Sequence, residues 1–569
     1  MLKGCNNKKE IVITLYTTSK YKENEFNEMA KGMVYKFKAL KNKKDINEPQ
    51  KMTDIKSFMK QKTLEAYKKY KRPIIVEHTM LSITHFNGLP NHITGEFCDK
   101  MSNYEICKQM EGIKLRDATA RSVIGFCDGK NIKIFEGFVE GYIANSPIGD
   151  NGFGWDNIFI PMGEIVTYAQ MSPKEKNKKS MRRKALQELI DYLKDHTVDF
   201  FDESDSNLED LKKDLVGLEK HKDKVKEGLI EFNEDKNLIL FVGAGVPRNL
   251  NLPSWYELME EIGEDLGFDK DVFMASDKDF LSLAEYASIV DLEKFKNKCV
   301  DKFNLDKLDK DELDINYEID RSNIYRYIVK LEPKKIYTTN YEDTIEKAFR
   351  IHGNPNIKIE TIKLSNEENE QKDKSGNVLE IVKLHGDIND LVGKKVDNLN
   401  DLNKNMVLTE SGYFNAIDCI DKTNIDKENN EKINEEDTHT QGENEKNCKS
   451  EVYRYLAKDL GQNKGNVIIF LGYSLSDFNI RYFLEKCREK AKKEENKGDN
   501  DKNKFYMFTT TPNPIQEKIL NHRDIKIIYG KDPEPKQALK KFLYDIVEAK
   551  KYEKKKDKGN SKEENTEGQ

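Results

Sequence analysis

Residues 237–246 run through five consecutive apolar positions, Leu238 to Val242, and stop at Gly243-Ala244-Gly245. A strand buried on both faces and closed by a tight turn has this pattern. Comparable runs recur at residues 334–341, 381–387, 466–474 and 504–510, separated by helix-like stretches, which predicts a parallel sheet with crossover helices. Nearer the N-terminus, β-rich runs at residues 11–16, 74–76, 132–135 and 158–160 alternate with charged, helix-like stretches such as 55–70. The fold class expected is therefore α/β throughout, in two α/β domains. Residues 1–195 form the first domain and residues 236–550 the second. Between them, residues 196–235 read as a charged, solvated helical linker, with a membrane or partner helix as weaker readings. Residues 421–450, almost without apolar side chains, read as a disordered insertion, and residues 551–569 as a disordered tail.

Composition narrows the function classes. The chain has 569 residues, 37% hydrophobic and 35% charged, with a net charge of -6. Mixed charge without a basic excess argues against nucleic acid as a partner. No apolar run reaches the roughly 18 residues of a membrane helix, and nothing reads as a signal peptide, so a cytoplasmic protein is expected. Eight scattered cysteines without a Cys-x-x-Cys argue against a zinc ribbon or a disulfide framework.

In the second domain, a strand ending in Gly243-Ala244-Gly245 and entering a helix with Pro247 in its first turn could present N–H groups to a phosphate. Alone, the pattern also fits a plain strand-helix turn. Three further clusters fall at carboxyl ends of expected strands, where open α/β sheets bind ligands. They are Thr338-Thr339-Asn340-Tyr341, Leu384-His385-Gly386-Asp387, and the run from Gly472 through Ser474 to Asp477. With Leu252-Pro253-Ser254-Trp255, their order resembles the sirtuin-like domains of bacterial antiphage proteins. The resemblance implies a Rossmann-like fold that holds NAD as substrate and cleaves its nicotinamide–ribose bond. On that basis Gly243, Ala244 and Gly245 would cradle the pyrophosphate, and Thr339, Gly472, Ser474 and Asp477 would contact NAD. Asn340 would hold the ribose or the attacking water, and His385 would act as the base. A structural histidine in a turn is the alternative for His385. Pro247 replaces a usual serine and Glu342 a usual aspartate. The four-cysteine zinc module of deacylating sirtuins is absent, which favours simple hydrolysis and no zinc.

In the first domain, Phe153, Trp155 and Asp156 lie shortly before the basic run that holds Lys176, Ser180 and Arg182. Aromatic faces can stack on bases, and Lys and Arg can neutralise phosphates; core aromatics on a solvated basic helix are the plainer reading. The order resembles the inosine triphosphate pyrophosphatase family, which removes noncanonical purine nucleotides. Thr17, Ser19 and Lys22 match its phosphate-binding motif, with Ser19 in place of asparagine. Glu48 takes the place of its metal-binding glutamate, a weak magnesium site at most, and Glu77-His78-Thr79 that of its Glu-Asp-Thr. His78 at the strand end thus stands where the family has an aspartate, and imidazole suits magnesium poorly. A structural histidine, or a zinc or manganese site with Glu48 and Glu77, are the other readings of His78. Gln170 replaces an acid and Met181 a histidine.

Together the resemblances imply an antiphage NAD hydrolase of the abortive-infection kind. A catalytically impaired first domain would sense dITP or ITP, with or without magnesium, and activate the second. They also imply a homo-oligomer and a nucleotide deaminase acting upstream. A bifunctional enzyme with an active pyrophosphatase domain, an NAD-dependent deacylase, or a nucleotide-binding module are the alternatives.

Overall fold

A computed structural model describes residues 11–40, 46, 54–91, 93–196, 200–226, 236–277, 279–308, 314–364, 378–422, 450–460, 464–473, 475, 477–493 and 502–563. The chain divides into two compact units. The first holds residues 1–203, 510–517 and 529–535, and the second the remainder.

The first unit is built on strands β1 (Ile11–Leu15), β2 (Tyr35–Ala39), β3 (Ile74–Ile83), β4 (Pro90–Asn91), β5 (Asp117–Cys127), β6 (Ile132–Ile143) and β7 (Phe159–Pro161). Their order is β2-β1-β3-β5-β6-β7, with β4 beside β3. β1 runs parallel to β2 and β3, and the rest is antiparallel. The expectation that a strand ends at Val76 is corrected: β3 continues through Glu77-His78-Thr79 to Ile83, ten residues in register with β5. Pairing to a long neighbour carries the strand across its polar middle. Strand alternation sends Ile74, Val76 and Met80 into one apolar cluster with Phe58 and Met59 of the helix Ile55–Tyr70, and Leu81 and Ile83 into another with Trp155, Phe159 and Met181.

The second unit holds β8 (Leu238–Val242), β9 (Lys335–Thr338), β10 (Lys358–Ile362), β11 (Val378–Lys383), β12 (Val467–Leu471), β13 (Lys504–Thr509) and β14 (Ile525–Tyr529), in the order β10-β11-β9-β8-β12-β13-β14. The pairs from β10 to β13 are parallel. From β8 the chain proceeds first toward β9 and later toward β12, so the order reverses at β8, and the turns around that point are where such sheets bind ligands. Helices Trp255–Asp265, Lys270–Ser276, Phe280–Val290 and Leu292–Phe303 form a separate lobe whose core includes Ile388 and Leu391 of the turn after β11.

Three expectations are corrected here. The segment expected as a solvated linker contains the helix Phe200–Lys226, and Leu211, Leu215 and Leu218 at helical spacing are buried in the core of the second unit. Its charges dock as well, for Asp214 holds Lys504 at 2.6 Å. The expected tail is helical as far as Glu563, as part of the helix Pro535–Glu563, because Lys and Glu favour continuation of a helix anchored by the packed residues Leu539, Leu543 and Val547. Finally, Pro247 opens a 3-10 turn of four residues, Pro247–Leu250, not an α-helix; the α-helix begins at Trp255 behind the Ser254/Glu257 capping box. Residues 423–449, most of the expected insertion, lie outside the described residues, as do Glu48 and Ser474.

Candidate functional site

In the first unit, a cleft of about 330 Å³ is lined by Lys22, Glu77, Phe153, Trp155, Asp156, Lys176 and Arg182, among others. This falls within the ~300–1,000 Å³ usual for small-molecule sites. Six residues expected to bind a nucleotide are therefore brought together. Thr17, Ser19 and Ser180 do not line the cleft. Ser19 accepts from Lys22 N at 3.4 Å and Ser180 from Arg183 N at 3.2 Å, so both hydroxyls cap helices. Thr17 Oγ1 accepts from Ser19 N at 3.1 Å.

The cations of the cleft are engaged by carboxylates. Glu77 Oε1 accepts from Arg182 Nε at 2.6 Å and from Ser122 Oγ at 3.0 Å, and Glu77 Oε2 lies 2.9 Å from Lys22. Lys176 donates to Asp156 at 2.6 Å and to Glu25 at 3.1 Å, and Arg182 also donates to Glu25. Asp156 in turn accepts from Phe153 N at 2.8 Å, which fixes the aromatic turn. Lys176 sits 4.8 Å from the Phe153 ring centroid, a cation–π contact. Burial lowers the Arg182 pKa to about 10, and its Nη2 has no hydrogen-bond partner among the described residues. A triphosphate would exchange these carboxylates for phosphate oxygens, to which guanidinium binds strongly.

Glu77, the carboxylate beside His78, is clasped by Lys22 and Arg182, and no cluster of three or more His, Cys, Asp or Glu suited to a metal occurs among the described residues. His78 borders the cleft and packs edge-on against Phe58, centroids 5.5 Å apart, toward the face of the sheet opposite Glu77. Met181 and Trp155 are buried in the adjoining core, Trp155 edge-on to Phe159. Glu25 and Ser122 were not singled out from the sequence; a glutamate three positions after Lys22 on the helix Lys20–Met29 shares its face, which is the one signal that points to Glu25.

In the second unit, the turns after β8, β9, β11 and β12 converge. Gly243 N donates to Leu471 O and Gly245 N to Gly472 O, each at 2.9 Å. A Cβ on Gly243 would lie 2.6 Å from Gly472 O, so the glycines allow two backbones to touch. Two of the N–H groups expected to cradle a pyrophosphate are thus already used, and no α-helix starts behind them. Thr338 Oγ1 donates to Val242 O at 2.7 Å and accepts from Asn340 N at 3.0 Å, which ties β9 to β8 and aims the Asn340 side chain.

Asn340 and His385 are buried, at 6% and 3% exposure, and Asn340 Nδ2 makes no hydrogen bond among the described residues. His385 lies between Tyr341 and Tyr413, ring centroids at 6.4 and 5.2 Å. Its Nε2 is 3.1 Å from Asp477 Oδ2, within ion-pair range. Burial would raise the Asp477 pKa, but His385, the Ile480 N–H and Tyr413 outweigh it and hold it below the usual value. Behind His385, Lys383 is fully buried, donates to the carbonyls of Tyr341 and Glu342, and pairs with Glu346 at 3.5 Å and Asp387 at 3.2 Å. Burial raises Glu342 to about 7 despite Lys383. These buried charges stiffen the turn that carries His385.

A nucleotide-type cleft on a mixed sheet and a parallel-sheet site at a reversal of strand order define a protein of two α/β nucleotide domains. Residues 13–192 match the Ham1 family model and residues 334–528 that of the SIR2-like domain. The chain is 32% identical to the dITP/XTP pyrophosphatase of Hyperthermus butylicus over 185 residues, 32% of this chain and 96% of the relative. It is 33% identical to inosine triphosphate pyrophosphatase 1 of Trypanosoma cruzi over 189 residues, 33% of this chain and 92% of the relative. A solved HAM1 protein from Coxiella burnetii aligns at 26% identity and TM-score 0.30, over 33% of this chain and all of that one. The chain belongs to the Ham1 family through its first unit and carries a SIR2-like domain in its second. No helix of the described residues is long and apolar enough to cross a membrane.

Proposed function

We propose that the second unit hydrolyses NAD to ADP-ribose and nicotinamide, and that a noncanonical purine nucleotide of the dITP or ITP type, bound in the first unit, switches this activity on. In a host cell the result would be NAD depletion, a defence against phage. The observation that carries the reading is the pair Asn340 and His385, polar and buried at the carboxyl ends of the strands, with Asn340 Nδ2 unmatched among the described residues. An unmatched buried group of this kind costs about 1–3 kcal/mol, and such groups call for an explanation such as a ligand that satisfies them.

In the reaction, the C1′–N bond breaks and its electron pair stays on the nicotinamide nitrogen, which leaves neutral. Water forms the new C1′–O bond and passes its proton to His385, which later releases it to solvent. Asn340 holds the ribose hydroxyls or the water. For such activation the effector must bind the active form of the chain more tightly than the inactive one. The names of the Ham1-family relatives support a purine triphosphate as that effector. Carboxylate-clasped cations and His78 in the first unit favour binding over turnover. Incubation of the purified chain with NAD, with and without dITP, tests both halves when nicotinamide and pyrophosphate are followed together. Nicotinamide that appears only with dITP, without pyrophosphate, is expected; steady pyrophosphate release would instead support an active pyrophosphatase.

A further inference from the structure

The sirtuin-like resemblance implies that Asp477 contacts NAD, but its surroundings point to another task. Of its two carboxylate oxygens, Oδ1 accepts from Ile480 N at 3.2 Å in the first turn of the helix Phe478–Lys493. Oδ2 accepts from Tyr413 Oη at 3.3 Å and lies 3.1 Å from His385 Nε2. Both oxygens are therefore committed to protein groups. Around His385, Tyr341 donates its hydroxyl to Val407 O, and Tyr413 donates to Asp477. The nearest charges along the chain, Lys383 and Asp387, pair with each other, Glu346 and Lys363. Among the described residues, Asp477 is the carboxylate in ion-pair range of the imidazole. A histidine that takes a proton at 3% exposure becomes a buried cation, and an unpaired buried cation is strongly disfavoured.

We propose that Asp477 is a positioning residue whose fixed carboxylate orients the His385 ring and balances the positive charge it gains on taking a proton. The inference rests on the reading of His385 as the base in NAD hydrolysis. The anion is preset, since a helix N-terminus and a tyrosine hydroxyl hold it in place before substrate arrives. The pairing also joins the turns after β11 and β12, so a shift of either turn would misplace the base.

The test uses the full chain with Asp477→Asn, which keeps a side chain suited to capping the helix, and Tyr413→Phe, which leaves the cap intact. Asp477→Asn is expected to lower kcat for nicotinamide release by about 10²- to 10³-fold with KM for NAD nearly unchanged. The acid limb of its rate profile should move to lower pH by about one unit, since the charge that favoured the imidazolium is gone. Tyr413→Phe should lower kcat by about tenfold, in line with one lost hydrogen bond to a charged group. A rise in KM alone, with the acid limb unmoved, would overturn the proposal and return Asp477 to a simple NAD contact. Nitrogen-15 signals of His385, assigned by their loss in His385→Gln, give a readout free of turnover. If the wild type releases no nicotinamide while these signals titrate at lower pH in Asp477→Asn, the pairing stands and the NAD reading falls. If they titrate as in the wild type, the pairing falls.

Discussion

The two candidate sites handle buried polarity in opposite ways. In the first unit, Lys22, Lys176 and Arg182 are held by Glu25, Glu77 and Asp156, an almost self-neutralised set with one spare donor at Arg182 Nη2. In the second, Asn340 Nδ2 is unmatched among the described residues and the His385 imidazole faces one carboxylate, Asp477, while a separate set of charges around Lys383 supports the turn beneath them. A site whose charges already satisfy one another can bind an anion by exchange without reacting with it. One with an unmatched amide beside a buried imidazole has groups to spare for a ligand. This difference is the ground for proposing recognition in the first unit and chemistry in the second.

The largest effect expected breaks the second half of this comparison. His385→Ala should reduce nicotinamide release by about 10³-fold or more, the contribution of a positioned general base, with the fold intact by circular dichroism. Activity equal to the wild type would remove His385 from the chemistry. Next, Arg182→Met takes one cation from both Glu25 and Glu77 in the first unit, leaving them Lys176 and Lys22. Losing one partner of a buried ion pair costs about 3–5 kcal/mol, so the melting temperature should fall by several degrees and dITP binding should be lost in calorimetry.

Glu342 provides a pH test of the second unit. Its value of about 7 in the folded chain lies above the ordinary 4.5, so the folded state keeps the proton longer than the unfolded one. Its contribution to stability is complete below pH 4.5 and fades as pH rises to about 7. The loss amounts to about 3 kcal/mol, at about 1.4 kcal/mol for each pH unit between the two values. Glu342→Gln should therefore raise the melting temperature at pH 8 and flatten the decline between pH 4.5 and 7. An unchanged profile would show that the carboxylate is not held neutral.

The smallest expected effect concerns His78. Its side chain packs on Phe58, across the sheet from the Glu77–Arg182 pair, and Glu77 is already clasped by two cations. His78→Asp alone should give no pyrophosphate release from dITP with magnesium. Appearance of that activity would mean that this one position separates sensing from hydrolysis.

The second sheet was the more legible part of the sequence, because β8, β9, β11, β12 and β13 are apolar runs buried on both faces. Edge strands β10 and β14 were not singled out: β10 is partly exposed and β14 carries the exposed Lys526, so neither reads as an unbroken apolar run. The helix Phe200–Lys226 was legible as a helix but not as core, since its buried leucines are few among many charges. Within the sites, residue types were legible and pairings were not. Glu25 meets Arg182 across 157 positions and Asp477 meets His385 across 92, distances that no local periodicity encodes. The two glycines before Val246 were rightly read as a tight turn, yet their purpose, contact with Gly472, depends on the neighbouring strand.

The division of labour between the units is tested most directly by one titration: purified full-length chain with NAD, dITP added in steps, and nicotinamide and pyrophosphate measured in the same samples. The account predicts nicotinamide release that saturates with dITP while pyrophosphate stays at background. Nicotinamide release indifferent to dITP, or its absence at every concentration, would contradict it.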